Sequence, residues 1–130
     1  MARIKHFERR SFKEYVKRSN ISEVSKMVQK NRKLTIAVDS IQRTALHWAV
    51  NQNLVDMTIF LIKIRCDINA VDKYGYTPLH LSARRDHSHI VKILLHNGAD
   101  NSTSALNGKM PVQMASEDSL SYHFLKRSMR

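Results

Sequence analysis

The sequence predicts an all-α solenoid of stacked helix–turn–helix units, and three observations carry that reading. Residues 39–71 and 72–104 are one pattern written twice at a period of 33 residues. Asp39 falls on Asp72, Thr44 on Thr77, Leu46 on Leu79, His47 on His80, Leu61 on Leu94 and Asp67 on Asp100. A fixed period with matched residue types marks units that bury their apolar faces only against one another. Within a unit, apolar residues recur at helical spacing, as Ile90, Ile93 and Leu94 do, which is the stripe of a half-buried helix. Between the stripes fall turn residues such as Asn97-Gly98 and Asn107-Gly108.

From the N-terminus, residues 1–5 are expected to fray. Residues 6–38 keep the register in degraded form and make an N-terminal cap unit. Ser11 stands at the Thr position, Tyr15 at that of Trp48 and Ile21 at that of Leu54. Ile21, Val24, Met27 and Val28 form one apolar stripe, opposite Glu23, Ser25, Lys26 and Lys30. A terminal unit with one polar face is what a solenoid needs where stacking stops. In the repeat 39–71, Thr44 can cap a short apolar helix over residues 45–50 by accepting a backbone N–H. Residues 51–53 turn the chain, and residues 55–64 form a second apolar helix.

In the repeat 72–104, Thr77 caps, and Pro78 takes the first helical position, where its missing N–H is no loss. Leu79, Leu81 and Ala83 face neighbouring units. Asp86-His87 turn the chain, and Gly98 ends the second helix in the left-handed conformation that glycine adopts freely. Residues 105–130 make a C-terminal cap unit. Asn107-Gly108 form its turn, Met110-Pro111-Val112 start its first helix, and a second helix near residues 119–126 is expected to turn Leu120, Phe124 and Leu125 inward.

A chain of 130 residues suits a single domain spanning 1–130, and 42% hydrophobic residues with 3 Gly and 2 Pro suit a packed one. The one cysteine, Cys66, excludes an internal disulfide and points to a reducing compartment, the cytoplasm or the nucleus. The first ten residues are basic with no apolar segment behind them, and the apolar run Ile59-Phe60-Leu61-Ile62 is too short for a membrane span. Neither a signal peptide nor a membrane association is expected. The formal net charge of +11 is uneven: residues 1–33 hold eleven Lys or Arg against three Glu, and the remainder eleven against eight acids. A basic end suits an acidic protein surface, a nucleic-acid backbone or a nuclear import receptor; it also suits a merely solvated helix face.

Thr77-Pro78-Leu79-His80-Leu81-Ser82 and Thr44-Ala45-Leu46-His47-Trp48-Ala49, supported by Asn97-Gly98-Ala99-Asp100, closely resemble the ankyrin repeat. The resemblance implies an ankyrin-repeat solenoid with β-turn fingers, about four units including degenerate caps, in a small stand-alone domain. It implies that Thr44 and Thr77 cap their helices and that His47 and His80 lie in a buried hydrogen-bond network joining neighbouring units. Pro78 and Gly98 complete the structural motif. The chain departs from the family pattern at Gln42, which stands where Gly75 and Gly108 stand, and at Arg65, which stands where Gly98 does. Asn53 and Asp86 replace the usual glycine between paired helices, and Gln113 replaces the motif His. Asn and Asp tolerate positive φ, whereas Arg65 does so at a cost, so the repeat 39–71 is expected to have the looser helix end.

No catalytic or metal constellation stands out. His87 and His89 are two apart, off a common helix face, and His6, His96 and His123 lack Cys or carboxylate companions at zinc spacing. Cys66 has no positioned base and suits a small buried site. Without a Gly-rich phosphate loop or paired carboxylates, no enzyme, metal or cofactor is expected. Trp48 is expected to pack between units rather than serve as an exposed anchor. Leu61 followed by Asp67-Ile68-Asn69 is similar to the context in which ankyrin asparagines are hydroxylated by an oxygen-dependent asparaginyl hydroxylase, with Asn69 the acceptor.

Ankyrin-like stacks present a rigid concave face of finger tips and first helices, which favours protein recognition with little ordering cost. The resemblance places there the tip residues Ile41, Arg43, Lys73, Tyr74, Tyr76, Asn107 and Lys109, joined by Asn51, Gln52, Arg84 and Arg85 from the first helices. Arg43, Lys73, Arg84, Arg85 and Lys109 make this stripe basic, and Tyr and Arg are common binding hot spots. The expected function is a monomeric, non-enzymatic protein-interaction module, an adaptor or inhibitor gripping an acidic surface or segment of another protein. The alternative is nucleic-acid association through Arg3, Lys5, Arg9, Arg10, Lys13, Lys17 and Arg18 of the N-terminal cap. Phe7, Phe12 and Tyr15 interleave with these cations, the last two better suited to the cap core.

Overall fold

Helix pairs form wherever the sequence offers an apolar stripe preceded by a side chain able to cap it. A computed structural model describes residues 4–130, in which eight α-helices pair as four hairpins and no strand occurs. The pairs are α1 (His6–Lys17) with α2 (Ile21–Lys30), α3 (Ala45–Asn51) with α4 (Val55–Lys63), α5 (Pro78–Arg84) with α6 (Ser88–His96), and α7 (Pro111–Met114) with α8 (Leu120–Ser128). A 3₁₀ turn at Arg32–Ile36 packs on α2. The first helices stack in one row, α1 on α3 on α5 on α7, and α4, α6 and α8 stack in a second.

The apolar stripes meet in one continuous core. Phe12, Leu46, Met57, Leu61, Leu79, Ile90, Leu94 and Leu125 are wholly buried in it. Burying each such side chain contributes about 1.5–3 kcal/mol. Trp48 belongs to this core: it lies edge-on to Phe12 with centroids 6.2 Å apart, and its Nε1–H donates to Asp39 Oδ2 at 3.0 Å.

Between units the chain folds into fingers. Asp39 N–H donates to the Arg43 carbonyl at 3.1 Å and Gln42 N–H to the Asp39 carbonyl at 3.0 Å; Asp72, Gly75 and Tyr76 repeat the arrangement. Each Asp Oδ1 holds its finger from inside, Asp39 accepting from the Ile41 and Arg43 N–H groups and Asp72 from those of Tyr74 and Tyr76. The fingers also bond to each other, Lys73 N–H to the Ile41 carbonyl at 2.8 Å and Leu106 N–H to the Tyr74 carbonyl at 3.0 Å.

Four sequence expectations differ from the structure. Ser11, set at the Thr position, lies inside a helix and not before one: α1 begins at His6, with Lys5 at the N-cap place making no side-chain bond, so helix occupies residues 6–10, where a finger would fall. Asn20, not Ile21, takes the N-cap place that Leu54 fills in the next unit, its side chain accepting from Glu23 N–H, and Ser19 makes the turn at φ 55°. The helix end of the repeat 39–71 is not looser. Arg65 adopts φ 71°, the Cys66 N–H to Leu61 carbonyl bond of 3.1 Å matches that from Ala99 to Leu94 at 3.0 Å, and α4 and α6 are both nine residues long.

Leu120 is the fourth: it is 57% exposed. The wholly buried positions of α8 are Ser121 and Leu125, which set its inward face one step round the helix from Leu120. Ser121 is held there by Asp86 Oδ1, which accepts both its N–H and its hydroxyl. Of the residues expected to fray, Ile4 packs against the core, while residues 1–3 lie outside the described residues.

The left-handed turns and the finger contacts predict a graded set of substitutions. A Cβ at Gly75, φ +80°, would lie 2.9 Å from Leu106 N and 3.2 Å from Ala105 Cα, whereas one at Gly98 meets nothing within 4 Å. Gly75→Ala is expected to destabilise by about 2–3 kcal/mol, Gly98→Ala by about 1, and Arg65→Gly to stabilise by about 0.5–1. Urea denaturation of the three variants checks the order.

Candidate functional site

The finger row and the first helices are welded together by two imidazoles. His47 Nδ1 accepts from the Thr44 N–H at 3.1 Å, while Thr44 Oγ1 accepts from the His47 N–H at 3.4 Å. The other ring nitrogen, Nε2, donates to the carbonyl of Tyr76 in the next finger at 2.8 Å. His80 repeats the pattern with Thr77 and with the Lys109 carbonyl at 2.9 Å. Both roles are met together only by the neutral ring protonated at Nε2. Gln113 keeps the half of the role inside its own unit, its Oε1 accepting from Met110 N–H at 2.8 Å.

The first residue of each of the first two fingers is an aspartate, and each is matched by a cation from the unit before. Arg43 Nε lies 3.1 Å from Asp72 Oδ2, with the Asp72 side chain wholly buried and Arg43 17% exposed. Lys13 Nζ lies 3.2 Å from Asp39 Oδ2 and 5.3 Å from the Trp48 ring centre. Burial alone would raise the Asp39 pKa, but the Arg43 N–H, Lys13, Trp48 and the Ile41 N–H together hold it below the usual carboxylate value. Arg43, expected at the tip surface, has its Nε bonded to the buried Asp72 carboxylate and leaves 17% of its side chain exposed.

The other tip residues gather around Tyr76. Tyr74 lies 6.1 Å from Tyr76 ring to ring, the Arg84 guanidinium sits 5.5 Å over the Tyr76 ring, and Asn107 Nδ2 donates to the Tyr76 hydroxyl at 3.1 Å. Tyr74 is 48% exposed, and Lys73, Arg84 and Lys109 are exposed as well. Ile41 joins through its carbonyl bond from Lys73 N–H. The remaining residues stand apart. Arg85, just past the end of α5, donates to Asn51 Oδ1 at 2.9 Å, and with Gln52 and His87 these line a groove at the far ends of α3 and α5. The structure therefore splits the expected stripe into a tip cluster and a helix-end cluster.

Other candidate chemistry is placed as follows. Asn69 is exposed, and its Oδ1 accepts from the Asp100 N–H of the next unit at 2.8 Å. Cys66 is buried, and burial pushes its thiol up to about 11, partly opposed by Arg32, which leaves little thiolate for nucleophilic work. Among the described residues no three His, Cys, Asp or Glu side chains converge as metal ligands, and no helix is long and apolar enough to cross a membrane.

The sequence is similar to those of known proteins. A family model described as ankyrin repeats, in three copies, matches residues 14–105. The chain is 34% identical over 87 residues to an ankyrin and IPT/TIG repeat-containing protein of Schizosaccharomyces pombe, covering 67% of this chain and 8% of that protein. It is 33% identical over 88 residues to 26S proteasome non-ATPase regulatory subunit 10 of Dictyostelium discoideum, covering 67% of this chain and 38% of that protein. Against protein phosphatase 1 regulatory subunit 27 of Homo sapiens, identity is 26% over 108 residues, with 82% of this chain and 70% of that one covered. The chain thus spans well under half the length of the first two of these relatives.

The welded imidazoles predict a pH response. Burial lowers the pKa values of His47 and His80 below the ordinary 6.5, outweighing the Tyr76 and Lys109 carbonyls that favour the charged ring. The unfolded chain then binds more protons than the folded one as pH falls below 6.5. This contribution to stability is present in full above that value and is lost progressively below it, toward the folded-state values. The urea midpoint is expected to fall between about pH 7.5 and about pH 5.5, with a smaller drop for His47→Gln/His80→Gln.

Proposed function

The chain belongs to the ankyrin-repeat family, and on that premise we propose that it is a non-enzymatic adaptor or inhibitor whose finger tips grip an acidic surface of another protein. Its repeats make it a protein–protein interaction module, and ankyrin-repeat domains are generally non-catalytic. The observation that carries the finer reading is the tip cluster: exposed Tyr74 beside Tyr76, Arg84 over the Tyr76 ring, and exposed Lys73 and Lys109 on the second and third fingers. Paired aromatic and guanidinium groups on a rigid support bind with little ordering cost. The acids nearest the tips, Asp39 and Asp72, are turned inward and ion-paired, so the outward charge is set by the cations. Two relatives carry names that describe them as regulatory subunits, which agrees with action through attachment to another protein.

The nucleic-acid reading draws less support, since Lys13 is engaged with Asp39 and Phe12 is buried, which leaves a shorter row of phosphate contacts. Arg3 lies outside the described residues. A monomer in the cytoplasm or nucleus fits a single buried thiol. Asn69 is proposed as a hydroxylation acceptor, because its exposed side chain lies on a turn and an oxygen added at its Cβ leaves Oδ1 available to Asp100.

Charge reversal tests the tip cluster. Arg84→Glu and Tyr74→Ala are each expected to weaken capture of an acidic partner about tenfold or more, at unchanged helical circular dichroism. Arg85→Glu, at the helix-end cluster, is expected to matter less. Undiminished capture by the first two variants would sink the assignment. For Asn69, incubation with an asparaginyl hydroxylase should add one oxygen to the peptide containing it, seen by mass spectrometry; an unmodified peptide rejects the idea.

A further inference from the structure

The finger row has an unfinished edge. Lys73 and Leu106 each donate their backbone N–H to the finger before, at the Ile41 and Tyr74 carbonyls. One period earlier the equivalent N–H belongs to Ser40, on the first finger. No finger precedes it among the described residues, because residues 6–10 are the opening turns of α1, and a helix keeps its carbonyls for itself. A groove runs instead between α1 and this finger, with His6, Arg9 and Arg10 on one side, Val38 and Ser40 on the other, and Trp48 at its floor. Val38 is 41% exposed, and Ser40, Arg9 and Arg10 are exposed. Among the described residues neither arginine is ion-paired, while the one carboxylate at the groove, Asp39, is already held by Lys13, Trp48 and two backbone N–H groups.

We propose that this groove is a second docking site, which takes an extended acidic segment of a partner protein as an added edge to the finger row. A carbonyl of that segment accepts from Ser40 N–H, continuing the finger-to-finger bonding; its carboxylates meet Arg9 and Arg10, and an apolar side chain rests on Val38. Addition to an exposed backbone edge gives affinity through main-chain bonds and specificity through alternate side chains. A nucleic acid fits less well. Two guanidiniums flank an apolar floor, and the next cation along α1, Lys13, is held by the Asp39 carboxylate. This site is independent of the tip cluster around Tyr76.

The probe is a fluorescein-labelled peptide alternating Glu with Val, read by fluorescence anisotropy against the full chain. The wild type is expected to bind, more weakly as salt rises. Arg9→Glu/Arg10→Glu is expected to lower affinity about tenfold or more. Ser40 is the second residue of the turn closed by Gln42 N–H and the Asp39 carbonyl, a place that accepts proline. Ser40→Pro therefore removes the N–H without touching a charge, and is expected to lower affinity about two- to fivefold. Lys63→Glu, an exposed position on α4 outside both clusters, should leave binding unchanged, and Arg84→Glu should weaken only the binding that Arg9→Glu/Arg10→Glu leaves behind, so failure here and failure of the tip cluster are told apart. The proposal is overturned by a wild type that ignores the peptide, by Arg9→Glu/Arg10→Glu and Ser40→Pro variants that bind as the wild type does, or by a single-stranded oligonucleotide that displaces the peptide.

Discussion

The bond from an imidazole Nε2–H to a carbonyl in the following finger is the constraint on which the stack depends. His47 to Tyr76 and His80 to Lys109 each span 29 residues, and each fixes where the next unit begins. A hydrogen bond of this kind contributes only about 1 kcal/mol net, but leaving either buried partner unmet costs about 1–3 kcal/mol. The ring is well suited to the place because it offers an acceptor to its own helix start and a donor to its neighbour, on opposite edges of a flat group that fills a core site. Gln113 shows which half of the role an amide can share: its exposed side chain serves the N-cap, its Oε1 accepting from Met110 N–H. Stability in such a stack resides in the joints as much as in the units.

The second constraint is electrostatic, and it travels in register with the first. Asp72 is buried and matched by Arg43, reaching forward from the preceding finger. One period later Ala105 replaces the aspartate and Tyr76 replaces the arginine. The tyrosine hydroxyl then meets Asn107, whose Oδ1 takes over the work of holding the finger by accepting from Lys109 N–H. Acid with cation, or small residue with tyrosine, are two self-consistent solutions at one pair of positions. Mixing them would leave either a buried carboxylate or a guanidinium without its partner, the costly outcome for charge in an interior.

Period and turn chemistry made the stack legible in the sequence, and they did so even where glycine is missing. Gln42, Asn53, Arg65 and Asp86 all have positive φ, because the 33-residue register demands a left-handed turn there and neighbouring bonds supply the strain energy. Local patterns carried less where the answer lies across the stack. Nothing near Arg43 announces that its partner is Asp72, so the arginine resembled an outward tip residue. Leu120 looked inward because it is apolar; its helix is instead rotated so that Ser121 can reach Asp86, 35 residues away. The binding surface was legible only in part for the same reason: Tyr76, Arg84 and Asn107 converge through contacts between units, while Arg85 and Asn51 pair at the far helix ends.

These distant pairings bear on what the surface can recognise. The second and third fingers are each held by their own aspartate or asparagine, by an imidazole from the unit before, and by a backbone bond to the preceding finger. A tip so constrained has little backbone freedom left to lose, so little of the contact energy of Tyr74 and Arg84 is spent on ordering the finger. The same bonding gives the row a direction. The second and third fingers donate an N–H toward the N-terminal side, and the first and second offer a carbonyl toward the C-terminal side, so the two ends of the row differ in chemistry as the ends of a strand do. The donor end lies beside the most basic stretch of the chain. Backbone polarity and side-chain charge therefore favour the same class of ligand there, one rich in acceptors, which neither feature would select as strongly alone.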